Sequence, residues 1–164
     1  MKVIIDTNVP IVANGHSTQA SQACSLACIQ RIRRITTLAD TLVLDDKRLI
    51  LKQYMDNLRS EGQPGVGDAF LKWVLTNLWA RCEQVAITLT VDGSFEEFPE
   101  AEGLKTFDLK DRVFVAVALA HSENPPIVQA VDPGFWKHRE ALAENSVQVE
   151  FICEEDIKRL AETK

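Results

Sequence analysis

The chain has 164 residues, the size of one domain with one hydrophobic core. Hydrophobic residues make up 46% and charged residues 26%, a globular composition that excludes a disordered chain. The net charge of -6 argues against a protein that coats duplex DNA by charge alone, because such binding neutralises phosphates.

The N-terminus, Met1-Lys2-Val3-Ile4-Ile5-Asp6, lacks the long apolar stretch of a secretory signal. No apolar run reaches the ~18 residues of a membrane span, so no membrane partner and a cytoplasmic location are expected. Val3-Ile4-Ile5 is β-branched, ends in Asp6 and reads as a first strand. A helix is expected from about Thr18 to Leu38. Ala20, Ala23, Cys24, Ala27, Cys28, Ile32 and Ile35 recur there at three- and four-residue spacing. Arg31, Arg33 and Arg34 lie near its C-terminal end, where cations suit the helix dipole.

Thr41-Leu42-Val43-Leu44 is the second strand and leads into Asp45-Asp46. A helix follows from about Lys47 to Leu58, and Gly62 to Gly67 reads as a loop. Asp68 suits the N-cap of a helix running to about Arg81. Val85 to Leu89 is the expected third strand, with a turn at Asp92-Gly93. An acidic loop precedes a strongly apolar segment, whose length from Leu109 to His121 and whose alanines favour a buried helix. Ile127 to Val131 is the fourth strand and ends at Asp132. A helix from Pro133 to about Glu144, a fifth strand from Val147 to Ile152 and a polar helix from Glu154 complete the chain.

Alternating strands and helices imply a three-layer α/β/α domain around a parallel sheet of about five strands. The four cysteines, Cys24, Cys28, Cys82 and Cys153, lack the second pair of a usual zinc site and read as buried and reduced.

Asp6, Asp45, Asp92 and Asp132 each follow a strand. In a parallel sheet those ends share one edge, where such folds bind ligands. Carboxylates gathered there repel one another unless a cation neutralises them, and hard oxygen ligands suit Mg2+ or Mn2+. The plainer alternative is that each aspartate is a turn former or cap; Asp92, before Gly93, fits that best. Asp108 and Asp111 share a face at the start of the apolar helix, with Asp108 better placed to cap and Asp111 left for function. Lys47, Arg48, Lys110 and Arg112 flank the acids and could steer a nucleic-acid backbone, although most such residues are solvated charges. Trp73 and Trp79 lie in helical patterns and read as core; Trp136 is the one tryptophan expected near the site.

Three segments resemble the PIN-domain family in order and spacing over nearly the whole chain. Val3-Ile4-Ile5-Asp6-Thr7-Asn8 is similar to the strand-plus-DTN opening. Asp111-Arg112-Val113-Phe114 resembles the acid that opens a buried helix. Ala130-Val131-Asp132-Pro133-Gly134-Phe135 resembles the strand-end acid before an aromatic. The resemblance implies a metal-dependent ribonuclease in which Asp6, Asp111 and Asp132 ligate Mg2+ or Mn2+ and Asn8 supports Asp6. The partners it brings to mind are an RNA substrate, an antitoxin protein and a second copy of the chain in a homodimer. Two positions depart from the family. Its glutamate on the helix after the second strand is Gln53 here, before Tyr54, and a frequent second acid of the last motif is Gly134. Asp45 or Asp46 would then be the substitute acid. Two other readings remain: an RNA- or protein-binding module with a degenerate site, and a phosphatase using Asp6 as nucleophile. The phosphatase is disfavoured because Asn8 stands where a second aspartate would act as acid.

Overall fold

The computed structural model describes residues 1–61 and 65–162. Gly62, Gln63 and Pro64 of the expected loop lie outside the described residues, as do Thr163 and Lys164. The strands are β1 (Lys2–Ile5), β2 (Thr41–Asp45), β3 (Glu83–Val85), β4 (Ile127–Gln129) and β5 (Val149–Phe151). They form one parallel sheet in the order β3-β2-β1-β4-β5. Eight α-helices are described: α1 (Asn8–Ala13), α2 (Gln22–Thr36), α3 (Leu49–Asn57), α4 (Val66–Asn77), α5 (Arg112–Ala120), α6 (Pro133–Lys137), α7 (Arg139–Glu144) and α8 (Glu154–Glu162). This is the mixed α/β arrangement expected, consistent with three layers. No helix among the described residues is long and apolar enough to cross a membrane.

The central strands are buried on both faces, so they read as continuous apolar runs. Val3, Ile4, Ile5, Leu42, Val43, Leu44, Ile127 and Val128 are all buried. The apolar helix α5 packs on β1, β2 and β4, and Val113 through Ala118 are buried without a break. Such a helix has no solvent face, which is why composition alone leaves strand and helix open there.

Several boundaries differ from the sequence expectation. Helix α1 was not foreseen, because Pro10 masks it. Proline is tolerated in a first turn, where its missing N–H has no intrahelical partner anyway. Strand β3 is earlier than expected, at Glu83–Val85 and not Val85 to Leu89. The ladder ends where the Ile87 N–H bonds the Asp46 carboxylate (3.2 Å) in place of a strand carbonyl. Asp92 therefore lies beyond the sheet, in a turn with Gly93 at φ +85°. Val66 and Gly67, expected in a loop, open α4, and Asp68 sits inside the first turn rather than at the N-cap, its carboxylate accepting from Gly65 N–H at 3.1 Å. A Cβ on Gly67 would lie 1.8 Å from the Pro10 carbonyl oxygen, so only glycine lets α4 approach α1 this closely. The helix expected from Pro133 to Glu144 breaks at His138. The His138 ring bonds the Gly134 carbonyl (2.9 Å) and Thr106 (3.1 Å), and it packs edge-on against Phe107.

The cysteines also differ. Cys24 and Cys153 form a disulfide, with Cα atoms 5.2 Å apart, while Cys28 is a buried thiol and Cys82 a half-buried one. The pair is separated by 129 positions, so only the tertiary fold brings it together.

Asp45 illustrates the other fate of a strand-end acid. One carboxylate oxygen accepts from Lys47 (3.1 Å) and Leu49 (2.9 Å) N–H groups, and the other from Ile50 N–H (2.9 Å). These are orphan donors at the entry to α3, where the Arg48 backbone is left-handed at φ 61° and offers no side-chain cap. We expect Asp45→Ala to cost on the order of 2–4 kcal/mol in chemical unfolding, since buried donors lose a charged acceptor. Mn2+ affinity should stay the same; a lost Mn2+ response in a folded variant would place Asp45 at the metal site.

Candidate metal centre

The sheet order reverses at β1: the chain builds outward through β2 and β3, then returns to add β4 and β5 on the other side. In open parallel sheets the crevice at the C-terminal ends of the strands that flank such a reversal is the usual ligand position. Asp6 directly follows β1 and Asp132 lies in the turn after β4, at those ends. Asp111 comes from another element, at the entry to α5. One carboxylate oxygen from each of the three lies within 4.8 Å of the others, with Asp6 buried and its two partners half-buried.

Each acid is held by its own local structure. Asp6 accepts the Asn8 N–H at 2.9 Å. The Asn8 side chain in turn accepts Val131 N–H at 2.7 Å, which ties the end of β1 to the chain leading into Asp132. Asn8 thus supports the site through the backbone of the Asp132 turn as well as through its own N–H. Asp132 caps α6 by accepting Gly134 N–H at 2.8 Å. Asp111 is the N-cap residue of α5 by position, yet its side chain makes no capping bond. The preceding turn is capped instead by Asp108, which accepts Lys110 N–H at 3.1 Å. Asp108 is therefore the cap, as expected, and the Asp111 side chain is not used by its own helix.

Without a cation this arrangement is electrostatically costly. Burial, followed by the Asp132 charge, pushes the Asp6 carboxyl up to about 7, against the pull of Asn8 N–H and the Gln129 amide. Burial also raises both Asp111 and Asp132, and Asp111 is raised further by Asp132, Asp6 and Asp108. Asp111 and Asp132 therefore act on each other's ionisation. Lys110 is close enough to lower both. Three carboxylates that resist ionising together near neutral pH form a donor set suited to a hard divalent cation.

Gln129 is a buried polar residue beside the three acids that the sequence reading did not single out. It is fully buried in β4. Its carbonyl oxygen accepts Ala130 (2.9 Å) and Asp132 (3.2 Å) N–H groups. Its amide nitrogen has no partner at hydrogen-bond distance, but the amide acts on the Asp6 carboxylate and lowers its pKa. The signal was visible: one long polar side chain in the run Ile127-Val128-Gln129-Ala130-Val131.

The other expected residues divide. Asp45 is spent on α3, and Asp46 bonds Ile87 N–H and Lys47, so neither joins the three acids. Gln53 adjoins the site. Its amide donates to the Lys110 carbonyl at 2.7 Å, and Thr7 donates to its oxygen at 3.4 Å, so it links the neighbours of Asp111 and Asp6. Gly134 also borders the cluster: a Cβ there would sit 3.2 Å from an Asp132 oxygen and 4.0 Å from an Asp111 oxygen. Arg112, expected to face a substrate backbone, turns into its own loop. It donates to Phe107 and Lys105 carbonyls and to Ser94, all at 3.1 Å, and lies over the Phe98 ring. Lys110 is the cation that remains beside the acids. Trp136 packs edge-on against Phe151 with Arg139 4.1 Å from its ring centre, which leaves little free face for a base. Trp79, expected in the core, is 72% exposed.

The place of Gln53 gives a direct test. We expect Gln53→Glu to destabilise the metal-free protein by ~1–2 kcal/mol, because a carboxylate would face the Lys110 carbonyl and a site already too negative. The same change should tighten Mn2+ binding severalfold in a calorimetric titration. Unchanged affinity would show that position 53 does not serve the ion.

No family model, no curated protein and no solved structure matches this chain.

Proposed function

We propose that the protein is a metal-dependent ribonuclease of the PIN type, with Asp6, Asp111 and Asp132 as the ligands of Mg2+ or Mn2+. The observation that carries this reading is the meeting of three carboxylates from β1, α5 and the β4 turn at the reversal of the strand order, with Asp111 left unused by its own helix. The three motifs that resemble PIN domains contribute one of these acids each.

The chemistry follows from the donor set. A bound divalent ion supplies a water of lowered pKa and a counter-charge for phosphate oxygens. The chain does the rest. Asp6, held by the Asn8 N–H, presents its carboxylate beside those of Asp111 and Asp132. Asp111 and Asp132 would complete the donor set, and any protons they carry would pass to solvent on metal binding. Lys110 offers a flexible positive charge at the rim for the RNA backbone. A toxin paired with an antitoxin is a narrower form of the same reading and rests on the resemblance alone.

The second reading, a binding module with a degenerate site, is favoured by Gln53 and Gly134, since two positions bordering the cluster lack the family's acids. Incubation of purified protein with single-stranded RNA separates the two. A nuclease cleaves with Mn2+, stops with a chelator, and is inactive as Asp132→Asn. Mn2+ and RNA binding with no cleavage would favour the module. Cleavage that survives both chelator and substitution would reject the proposed active site.

A further inference from the structure

Between the start of α2 and the segment that joins β5 to α8, three sulfur atoms meet. Cys24 and Cys28 stand one turn apart on α2, and Cys153 directly precedes α8. The three Sγ atoms lie within 4.8 Å of one another, and all three residues are buried. A two-sulfur bridge accounts for Cys24 and Cys153. It does not account for a third thiol in contact with it.

We propose that reduction of the Cys24–Cys153 bond turns Cys24, Cys28 and Cys153 into a site for one thiophilic divalent ion of the zinc class. Zinc–thiolate bonds of ~2.3 Å in a tetrahedron place sulfurs roughly 3.8 Å apart, within reach of this cluster after small side-chain rotations. Two helix starts converge on it. Cys24 lies in the first turn of α2, where its N–H bonds the Ser21 side-chain oxygen at 3.1 Å, and the Cys153 carbonyl accepts the Ile157 N–H at 3.0 Å to open α8. Helix N-termini favour thiolates. Asp156, in the first turn of α8, is buried and near enough for its charge to act on Cys28; with burial it pushes that thiol up to about 12. Metal-free Cys28 is therefore a neutral thiol, and a cation would replace its proton. The fourth position is open to water or to Asp156, whose carboxylate accepts the Ser21 N–H at 2.7 Å.

The step balances. Two equivalents of a small thiol reduce the disulfide to two cysteine thiols and leave as their own disulfide. The incoming ion then displaces the protons of Cys24, Cys28 and Cys153 to solvent. The oxidised cluster keeps one free thiol, Cys28, and no site, so the metal reports redox state.

Co2+ is the probe, because its thiolate complexes show an intense sulfur-to-metal charge-transfer band that carboxylate complexes lack. Chelator-treated protein is titrated anaerobically with Co2+ after phosphine reduction, and in parallel while oxidised, with circular dichroism recorded on each sample. The reduced wild type should develop the band to about one equivalent and lose it on adding Zn2+. The oxidised wild type and reduced Cys28→Ser should not, whereas Cys82→Ser should match wild type. Folding of Cys28→Ser is checked in the oxidised state, where its disulfide is intact. If reduction unfolds the chain, Co2+ should restore both the band and the native spectrum. A reduced wild type without the band, or a band equal in Cys28→Ser or in oxidised protein, would overturn the proposal.

Discussion

Asp111→Asn and Asp132→Asn should each make the metal-free protein more stable and make it indifferent to Mn2+. At a pH above the raised carboxyl range, wild type carries crowded negative charges at this crevice. Removing one charge relieves repulsion and keeps the shape, and an asparagine at position 132 can still cap Gly134 N–H. We expect a gain on the order of 1–2 kcal/mol, since each unit of relieved pKa shift is worth ~1.4 kcal/mol. Mn2+ should stabilise wild type by ~2.7 kcal/mol at a hundredfold excess over its dissociation constant, and neither variant measurably. If the aspartates were only turn residues, asparagine would cost little and leave any Mn2+ response intact. Thermal melts of the three proteins with and without Mn2+ read both effects. A wild-type Mn2+ shift preserved in both variants would remove the acids from the metal site.

The second large effect is a pH dependence opposite to that of most acid-sensitive proteins. Asp6 is raised to about 7, and Asp111 and Asp132 are raised with it. Between the unfolded carboxyl range near pH 4 and the folded values of about 7 for Asp6 and about 8 for Asp111, the native state holds more protons than the unfolded chain. The stability of the metal-free protein therefore falls as pH rises through that window. The loss should amount to a few kcal/mol, from the raised carboxyls together, at ~1.4 kcal/mol per unit. Saturating Mn2+ should flatten or invert the slope, because the ion replaces the protons, and its affinity should rise with pH over the same range. Urea unfolding at several pH values, with chelator or Mn2+, measures this. Constant or rising metal-free stability from acid to neutral pH would mean that the three carboxylates ionise without strain.

The sheet was legible where local chemistry and tertiary context agree. Buried parallel strands need β-branched runs, and Val3-Ile4-Ile5, Leu42-Val43-Leu44 and Ile127-Val128 have few other uses. The edge strand β3 was misplaced because Val85 to Leu89 has strand composition, while the actual ladder uses Glu83 and Gln84, held by backbone pairing to Val43 and Leu44. The site was legible as a set and ambiguous member by member. Asp45 and Asp132 both follow strands and both accept helix-start N–H groups. Both strands flank β1, so strand order does not separate them; the Asp45 carboxylate is taken up by three N–H groups at the entry to α3, whereas Asp132, in the turn after β4, comes within reach of Asp6. Arg112 was misjudged for a similar reason. Its neighbour Asp111 turns to the crevice, and the next side chain is turned toward a loop carrying Phe98 and Ser94 that no local pattern reveals. The Cys24–Cys153 pairing depends on α8 returning beside α2, a contact set by the whole chain.

Direct binding of Mn2+ is the closest test of the central claim, that Asp6, Asp111 and Asp132 together hold a divalent ion. Free Mn2+ gives a sharp paramagnetic resonance signal that disappears on binding, so titration of chelator-stripped protein counts sites without reference to catalysis. Wild type should bind saturably at neutral to slightly alkaline pH, Mg2+ should compete, and Asp6→Asn, Asp111→Asn and Asp132→Asn should each lose binding by at least about tenfold, the effect expected for a removed hard ligand. A wild-type titration indistinguishable from those of all three folded variants would contradict it.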